Sequence, residues 1–181
     1  MKIFFKSIGL FLIAIATFSC NSSPSLQQYY VDSKENNEFI SIDLPSSILQ
    51  LKEEEVSEEV TNTLKTIKKV NFLALQLTDL NKELFASEKE KVKQILKNPK
   101  YKQLMRMNGG KGNVSINYLG DEEAIDEVVI FGADNTKGFA LVRVIGENMN
   151  PADILKISQQ IKLDGNSNQL QQLEGLMKSI N

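Results

Sequence analysis

The chain has no histidine and no tryptophan among its 181 residues, and its one cysteine is Cys20. Histidine is the commonest general base and the commonest protein ligand for transition metals, so its absence disfavours zinc, copper and haem sites and much acid–base catalysis. One cysteine cannot form an internal disulfide. The sequence also contains no recognised catalytic motif. We therefore expect no cofactor, no metal and no enzyme activity.

An excess of charge of one sign is also missing. The chain has 21 basic and 23 acidic residues, a net charge of −2. If residues 1–19 are removed, Lys2 and Lys6 leave with them, and nineteen basic residues then face twenty-three acidic ones, a net charge of −4. Such a mildly acidic, mixed surface argues against nucleic-acid binding, which requires a basic face. The remaining 162 residues suffice for one domain with a core.

The first twenty residues have the pattern of an export signal. Lys2 and Lys6 precede an apolar run, Ile8–Ala16, which is too short to span a membrane as a helix. Ser19, a small residue, then stands directly before Cys20, as at the cleavage site of a bacterial lipoprotein. We expect residues 1–19 to be removed and Cys20 to carry acyl chains such as palmitate. Two or more chains anchor a protein stably.

Residues 20–37 are mostly polar and predict a lipid anchor followed by a flexible tether. A polar coil of this length reaches on the order of 20–25 Å. No acidic run follows Cys20. In similar lipoproteins such a run often marks export to the cell surface, so its absence favours an outer-membrane protein that faces the periplasm.

Residues 38–181 alternate between short apolar segments and turns, as in one α+β domain. Phe39–Leu44 has the alternation of a strand, and Val70–Leu77 is apolar on both faces, as in an interior strand. Ser87 with Glu90 predicts a capping box that opens a helix. Four more strands are predicted at hairpin spacing: Tyr101–Met107, Val114–Tyr118, Val128–Phe131 and Phe139–Ile145. We predict a mostly antiparallel sheet of about six strands with helices packed on one face.

The C-terminal part predicts two amphipathic helices. Asn150-Pro151 is a strong helix start, and the apolar stripe that follows consists of Ile154, Leu155, Ile157 and Ile161. The last helix presents a stripe that contains methionine, formed by Leu170, Leu173, Met177 and Ile180. Such a stripe suits a docking element for another protein, or it packs onto the domain's own core.

Three loops resemble ligand sites only superficially. Gly109–Gly112 lacks the spacing of a phosphate-binding loop and is predicted to be a hairpin turn. The segment that starts at Asp164 lacks the glycine and glutamate that a calcium loop needs at its sixth and twelfth positions. A group of acids at a predicted hairpin end is interpreted as a solvated surface: Asp121, Glu122, Glu123, Asp126 and Glu127.

The only two arginines, Arg106 and Arg143, fall within predicted strands among apolar neighbours. A buried guanidinium is costly unless it is paired. We considered two interpretations: a buried ion pair with Asp43, Asp126 or Glu127, or an anion site if the two arginines lie side by side and unpaired.

Several segments together resemble the family called domain of unknown function 4252. They are Phe39–Ile42 followed by Pro45, Tyr101 with Leu104-Met105-Arg106, Ile125 with Glu127-Val128-Val129, and Phe139 with Leu141, Ile145-Gly146, Met149 and Asp153-Ile154. The resemblance covers about residues 38–161 and implies a bacterial envelope lipoprotein. It implies no known activity and no catalytic residue.

The leading functional hypothesis is a lipid-anchored, non-enzymatic binding or adaptor module in the periplasm, in an envelope-stress or regulatory role, with an unidentified envelope protein as partner. Two alternatives stay open. A small-ligand carrier predicts an apolar cavity between sheet and helices. A hydrolase that uses carboxylates predicts a deep cleft with two or more acids.

Overall fold

The computed structural model describes residues 25–45, 58–110, 112–150 and 152–154. Its elements, in chain order, are α1 (Leu26–Lys34), β1 (Phe39–Pro45), α2 (Glu58–Thr66), β2 (Ile67–Gln76), α3 (Lys82–Leu96), β3 (Lys102–Gly109), β4 (Gly112–Gly120), β5 (Ile125–Asp134) and β6 (Gly138–Met149). None of the helices in these ranges is both long and apolar enough to cross a membrane.

The strands form one six-stranded sheet in the order β1-β2-β6-β5-β4-β3, with every neighbouring pair antiparallel. This confirms the predicted α+β class and the antiparallel sheet. Gly109 pairs with Gly112, so β3 and β4 form a hairpin at the glycine-rich segment, as predicted. Gly110 in this turn has a φ of 38°, a left-handed conformation that glycine adopts without steric cost.

The helices lie on both faces of the sheet, whereas the sequence predicted one. On one face, α1 and α3 bury Leu26, Phe85 and Val92 against strand residues such as Leu73 and Leu141. We call this the helix-covered face. On the other face, Leu64 of α2 and the buried Ile154 pack against a second apolar cluster with Val128 and Tyr118. The central strands carry large apolar residues on both sides, so burial of one face alone would leave the other in water.

Helix α1 corrects the predicted tether. Residues 26–34 are helical, and Leu26, Tyr29 and Tyr30 are buried in the core. The Ser25 side chain caps the helix by accepting a hydrogen bond from the Gln28 backbone N–H at 3.1 Å. The domain therefore begins by Ser25 rather than residue 38. The segment looked like a tether because its buried residues are few and two of them are tyrosines.

Helix α3 begins earlier than the predicted capping box. Its first residue is Lys82, and Ser87 lies inside the helix, where its hydroxyl donates to the Leu84 carbonyl at 3.2 Å. Phe85, which is buried, requires the earlier turn because it packs against the sheet. Several predictions lie outside the described residues: the signal, Cys20, the Asp164 loop and the docking stripe of Leu170, Leu173, Met177 and Ile180.

Candidate functional site

A row of polar side chains crosses the sheet on its helix-covered face, beneath α1. Antiparallel register aligns Asp43 of β1 with Asn71 of β2 and Arg143 of β6, and Asn117 of β4 lies at the same level beyond the apolar Val129 of β5. Glu127 of β5 lies on the same face, two residues before Val129, and is therefore diagonal to Arg143. Every member except Asp43 is buried. Because a polar row within an apolar core needs partners, its hydrogen bonds decide what chemistry it can perform.

Each of the three side-chain nitrogens of Arg143 donates a hydrogen bond. Its side chain is only 5% exposed, and it donates through Nε at 3.0 Å and through Nη2 at 2.8 Å to the two carboxylate oxygens of Glu127. Nη1 donates to Oε1 of Gln27, from α1, at 2.7 Å. This two-pronged geometry satisfies both charges. The structure thus pairs Arg143 with Glu127, one of the three acids considered from the sequence.

Arg106 does not join this pair. It is exposed on the edge strand β3, three strands away from Arg143, or about 14 Å at the usual strand spacing. The two guanidinium groups are therefore not side by side. An anion site between the two arginines, considered from the sequence, does not exist in this arrangement.

Asp43 forms its hydrogen bonds with residues other than the two arginines. Its carboxylate accepts hydrogen bonds from the Tyr30 hydroxyl at 2.8 Å, from the Asn71 amide and from the Lys34 ammonium at 2.8 Å. Partial burial acts to raise the pKa of Asp43, but these bonds and the nearby Lys69 outweigh it and hold the pKa well below its usual range. Asp43 is therefore a fixed anion that joins α1 to β1 and β2.

The buried tyrosines of the helix-covered face stay neutral. Burial, and then the nearby Glu88 carboxylate, raises the pKa of Tyr29 well above its usual value. Burial and the hydrogen bond to Asp43 do the same for Tyr30. Burial followed by the Glu127 carboxylate raises the pKa of Tyr101 to about 12. These phenols are poor candidates for bases or nucleophiles near neutral pH.

The buried and half-buried acids beneath the helices are each paired with a different partner, and the other acids considered from the sequence are exposed. Glu127 is paired with Arg143, Glu88 with Lys91, and Asp43 is held by three donors. Asp121, Glu122, Glu123 and Asp126 are exposed around the β4–β5 turn. Within the described ranges no three side chains of the metal-ligating types come together as an ion site.

The opposite face of the sheet holds an apolar depression of about 980 Å³. We define the apolar depression by its lining side chains: Ile40, Phe72, Ala74, Met107, Val114, Gly132 and Ala140. All of them are half-buried except Met107, which is 51% exposed on the edge strand. Among the described residues no helix covers this end of the face, because α2 packs at the other end.

The floor of the apolar depression consists of small residues at one level of the sheet. The register aligns Ala74 of β2, Ala140 of β6 and Gly132 of β5, with Ile40 and Val114 at the two sides. A side chain at Gly132 would meet only the Cγ2 atom of Val114, at 3.6 Å. A larger side chain would therefore fit at this position. Because the residue is glycine, space is left open above the sheet.

The polar groups at the rim of the apolar depression serve the β5–β6 turn. Asp134 accepts hydrogen bonds from the Thr136 backbone N–H at 2.7 Å and from the Lys137 backbone N–H at 3.1 Å. The hydrogen bonds from Thr136 lower the pKa of Asp134. Next to it, Gly138 has a φ of 126°, and a Cβ there would lie 2.1 Å from the Leu75 carbonyl oxygen. The rim is thus a structural turn, and the floor of the apolar depression is apolar.

The sequence did not predict the apolar depression. Ala74, Ala140 and Gly132 stand in three different strands, and nothing in the sequence shows that they meet at one level. The signal that was available is the small residue within each strongly apolar strand, such as Ala74 between Leu73 and Leu75. Only the register turns these three positions into a common floor.

Comparison with known families identifies the chain's relatives. The family described as Domain of unknown function (DUF4252) matches residues 29–157. The chain belongs to this family, which confirms the resemblance read from the sequence, and the match includes most of α1. A search of curated proteins and a search of solved structures found no match.

Proposed function

We propose that this protein is a non-enzymatic binding or adaptor module, held by lipid on Cys20 at the periplasmic side of the outer membrane. The observation that carries the proposal is the apolar depression, an apolar surface that no helix of the described residues covers. Contiguous apolar patches on a folded domain commonly mark interaction sites. Its occupant buries apolar surface there, and the small floor residues let that occupant approach the sheet closely.

The engaged state of the polar groups supports a binding role over catalysis. Arg143, Glu127 and Asp43 hold α1 to the sheet, and their hydrogen-bonding capacity is used within the protein. The lining of the apolar depression contains no paired carboxylates. A hydrolase that works by two carboxylates needs both acids in one cleft, so the described residues favour it least.

The placement of α1 suits a membrane anchor. Five residues separate Cys20 from the buried Leu26, which limits the separation of the lipid from the core to about 20 Å of extended chain. Leu26 packs on the helix-covered face, whereas the apolar depression is on the opposite face. An anchor attached through α1 therefore holds the domain close to the membrane and leaves the apolar depression accessible.

The anchor is tested by mass spectrometry of the N-terminal peptide from cell envelopes. We expect Cys20 to be the N-terminal residue and to carry acyl chains, and a Cys20→Ala variant to lack them and to leave the membrane fraction. An unmodified Cys20 in a membrane-free protein would refute the anchor and leave the binding surface to be judged separately.

The binding surface is tested by a photo-crosslinking residue at Met107, with the same residue at Ala86, exposed on α3, as the matched control. We expect one dominant adduct in intact cells from position 107 and none from position 86. Adding Gly132→Val, which fills the floor, should remove that adduct. Equal adducts from both positions, or an adduct that is insensitive to Gly132→Val, would contradict the proposal.

A small-ligand carrier is the second candidate, favoured by the size of the apolar depression. About 980 Å³ is at the upper end of the range for small-molecule sites, and the lining is apolar. Native mass spectrometry of protein released gently from envelopes checks this function. A bound apolar molecule that is absent from the Gly132→Val variant would favour a carrier over an adaptor.

A further inference from the structure

We infer that the β3 edge of the domain contacts the anionic phospholipid head groups of the membrane that holds the anchor. The inference rests on the proposed lipid anchor and adds the orientation of the domain. The acyl chains on Cys20 hold the protein at the membrane, and the electrostatic contact fixes which side of the domain faces the lipid. We define the basic edge by four exposed side chains: Lys97, Lys100, Lys102 and Arg106.

Charge is distributed unevenly along the chain. Residues 91–120, which include the end of α3 and all of β3 and β4, contain seven basic residues and no acid. The rest of the chain has fourteen basic and all twenty-three acidic residues. Because β3 is the last strand in the sheet order, this excess of positive charge lies along one edge of the sheet. The net charge of −2 therefore conceals a basic surface.

The charges of the basic edge are not neutralised within the described ranges. Lys91 and Lys93 form ion pairs inside α3, but no described acid pairs with any of the four members of the basic edge. The nearest acid in the following sequence, Asp121, lies three residues beyond Tyr118, the strand partner of Lys102. That separation is about 10 Å along the sheet, which exceeds the Debye length of about 8 Å at physiological salt. The basic edge can therefore attract an external anionic surface.

The chain that comes from Cys20 enters the domain beside the basic edge. The backbone N–H of Leu26, the first residue of α1, donates a hydrogen bond to the Tyr101 hydroxyl. Both residues are buried in the same apolar cluster. The Lys100 ammonium lies 5.2 Å from the centroid of the Tyr101 ring. The start of α1 and a lysine of the basic edge thus contact the same tyrosine.

A tight turn between α3 and β3 fixes the position of the lysines. The Tyr101 backbone N–H donates to the Asn98 carbonyl at 2.9 Å, and the Lys100 backbone N–H donates to the Asn98 side chain at 3.1 Å. Lys97 and Lys100 are therefore held at one corner of the domain. Arg106 extends the basic surface along β3, because it lies four residues, or about 13 Å, beyond Lys102.

The short connection to the anchor favours a lipid surface over an acidic protein. Five residues separate Cys20 from Leu26, so the start of α1 stays within about 20 Å of the lipid-bearing residue. Lys100 is close to that start, and anionic head groups attract basic side chains near a membrane surface. The anchor presents these head groups to the basic edge at a high local concentration, against which a diffusing acidic protein would have to compete.

The test measures how closely the basic edge approaches lipid in the full, lipidated protein. Acyl chains block Cys20, so Gln103→Cys, in β3 between Lys102 and Arg106, accepts a single fluorescent label. Asn135→Cys, in the β5–β6 turn, is the matched control, since both positions are exposed. The protein is reconstituted into phosphatidylcholine vesicles that carry a nitroxide quencher on some head groups, with or without about one-third phosphatidylglycerol.

We expect the label at position 103 to be quenched several-fold more strongly in the anionic vesicles than in the neutral ones. The label at position 135 should show no such difference. Salt at about 0.5 M should remove the difference, because it shortens the Debye length. Equal quenching at the two positions, or quenching at position 103 that does not respond to lipid charge, would overturn the inference.

Two triple variants with the same change in net charge test which residues make the contact. The first reverses three charges of the basic edge: Lys97→Glu, Lys100→Glu and Arg106→Glu. The second reverses three exposed lysines at or near the other end of α3: Lys82→Glu, Lys89→Glu and Lys137→Glu. The first should abolish the response of position 103 to lipid charge, and the second should retain it. An equal loss in both would overturn the inference, because net charge alone would then explain the attraction.

The state of Cys20 separates this inference from the proposed function. If mass spectrometry finds acyl chains on Cys20 but lipid charge has no effect at position 103, the orientation fails and the anchor stands. If Cys20 carries no acyl chain, the anchor fails and the orientation fails with it. A label at position 103 that is shielded in intact envelopes but not on anionic vesicles would overturn the lipid contact and assign the basic edge to an acidic protein.

Discussion

The two faces of the sheet are built from the same strands but differ in their side chains and in the helices that cover them. The helix-covered face is closed by α1 and α3, and the hydrogen bonds of its polar row join α1 to β1 and β6 and join β6 to β5. In the part of the chain that the structure describes, the opposite face is covered by a helix at one end, and at its other end small side chains leave an apolar depression. We therefore expect the larger contribution to stability from the first face, and we propose the second as the binding face.

The largest expected effect comes from breaking the ion pair on the helix-covered face. Glu127→Ala leaves the buried guanidinium of Arg143 without its counter-charge, and we expect a loss of about 3–5 kcal/mol in the free energy of unfolding. Urea denaturation measures it. The control is Glu127→Leu combined with Arg143→Met, which removes both charges and should be close to neutral. An equally large loss in the double variant would mean that packing, rather than charge, explains the effect.

Two neighbouring residues of β6 allow the contributions of the two faces to the free energy of unfolding to be compared directly. Leu141 is fully buried on the helix-covered face, so Leu141→Ala should cost about 2–5 kcal/mol. Val142 is half-buried on the opposite face, and Val142→Ala should cost only about 1 kcal/mol. Thermal or urea unfolding of both variants gives the ratio of the two losses in the free energy of unfolding. Similar losses at the two positions would show that the second face is as fully packed as the first.

Asp43 links the stability of the helix-covered face to pH. Its pKa is lower in the folded protein than in the unfolded chain, so its contribution is present above the ordinary aspartate pKa of about 3.9 and is lost as the pH falls through the lower folded value. We expect Asp43→Asn to cost about 1 kcal/mol at neutral pH and to flatten the acid limb of the stability curve. Unfolding measured between about pH 7 and pH 2 checks this, and parallel curves for the two proteins would exclude the role of Asp43.

The smallest effect on stability is expected at Met107, where the consequence is for binding. This side chain is 51% exposed on an edge strand, so Met107→Lys should change stability by no more than about 0.5 kcal/mol. A charge at the edge of the apolar depression should nevertheless weaken any apolar occupant. A crosslinking residue at Val114 reports on that occupancy. Unchanged adduct yield in Met107→Lys would place the occupied surface elsewhere.

The sequence was most informative where one strand or turn carries its own signal. Val70–Leu77 was recognised as an interior strand from its apolar residues alone, and the glycine-rich segment was recognised as a hairpin. It was least informative at α1, because that helix buries tyrosines whose partners lie in other elements. Tyr30 is one case, since its hydroxyl reaches Asp43, thirteen residues away, and the Phe72 carbonyl, forty-two residues away.

The sequence by itself determined the class of fold, the family and the expectation of a lipid anchor, because these depend on local patterns: alternation, turn residues and a cysteine after a short apolar run. Tertiary structure decided which charges pair. Arg143 pairs with Glu127, and Arg106 lies apart from this pair. Tertiary structure also decided that three small residues share one level of the sheet. Pairing and register depend on which strands lie side by side, and that order is set by the packing of the whole domain.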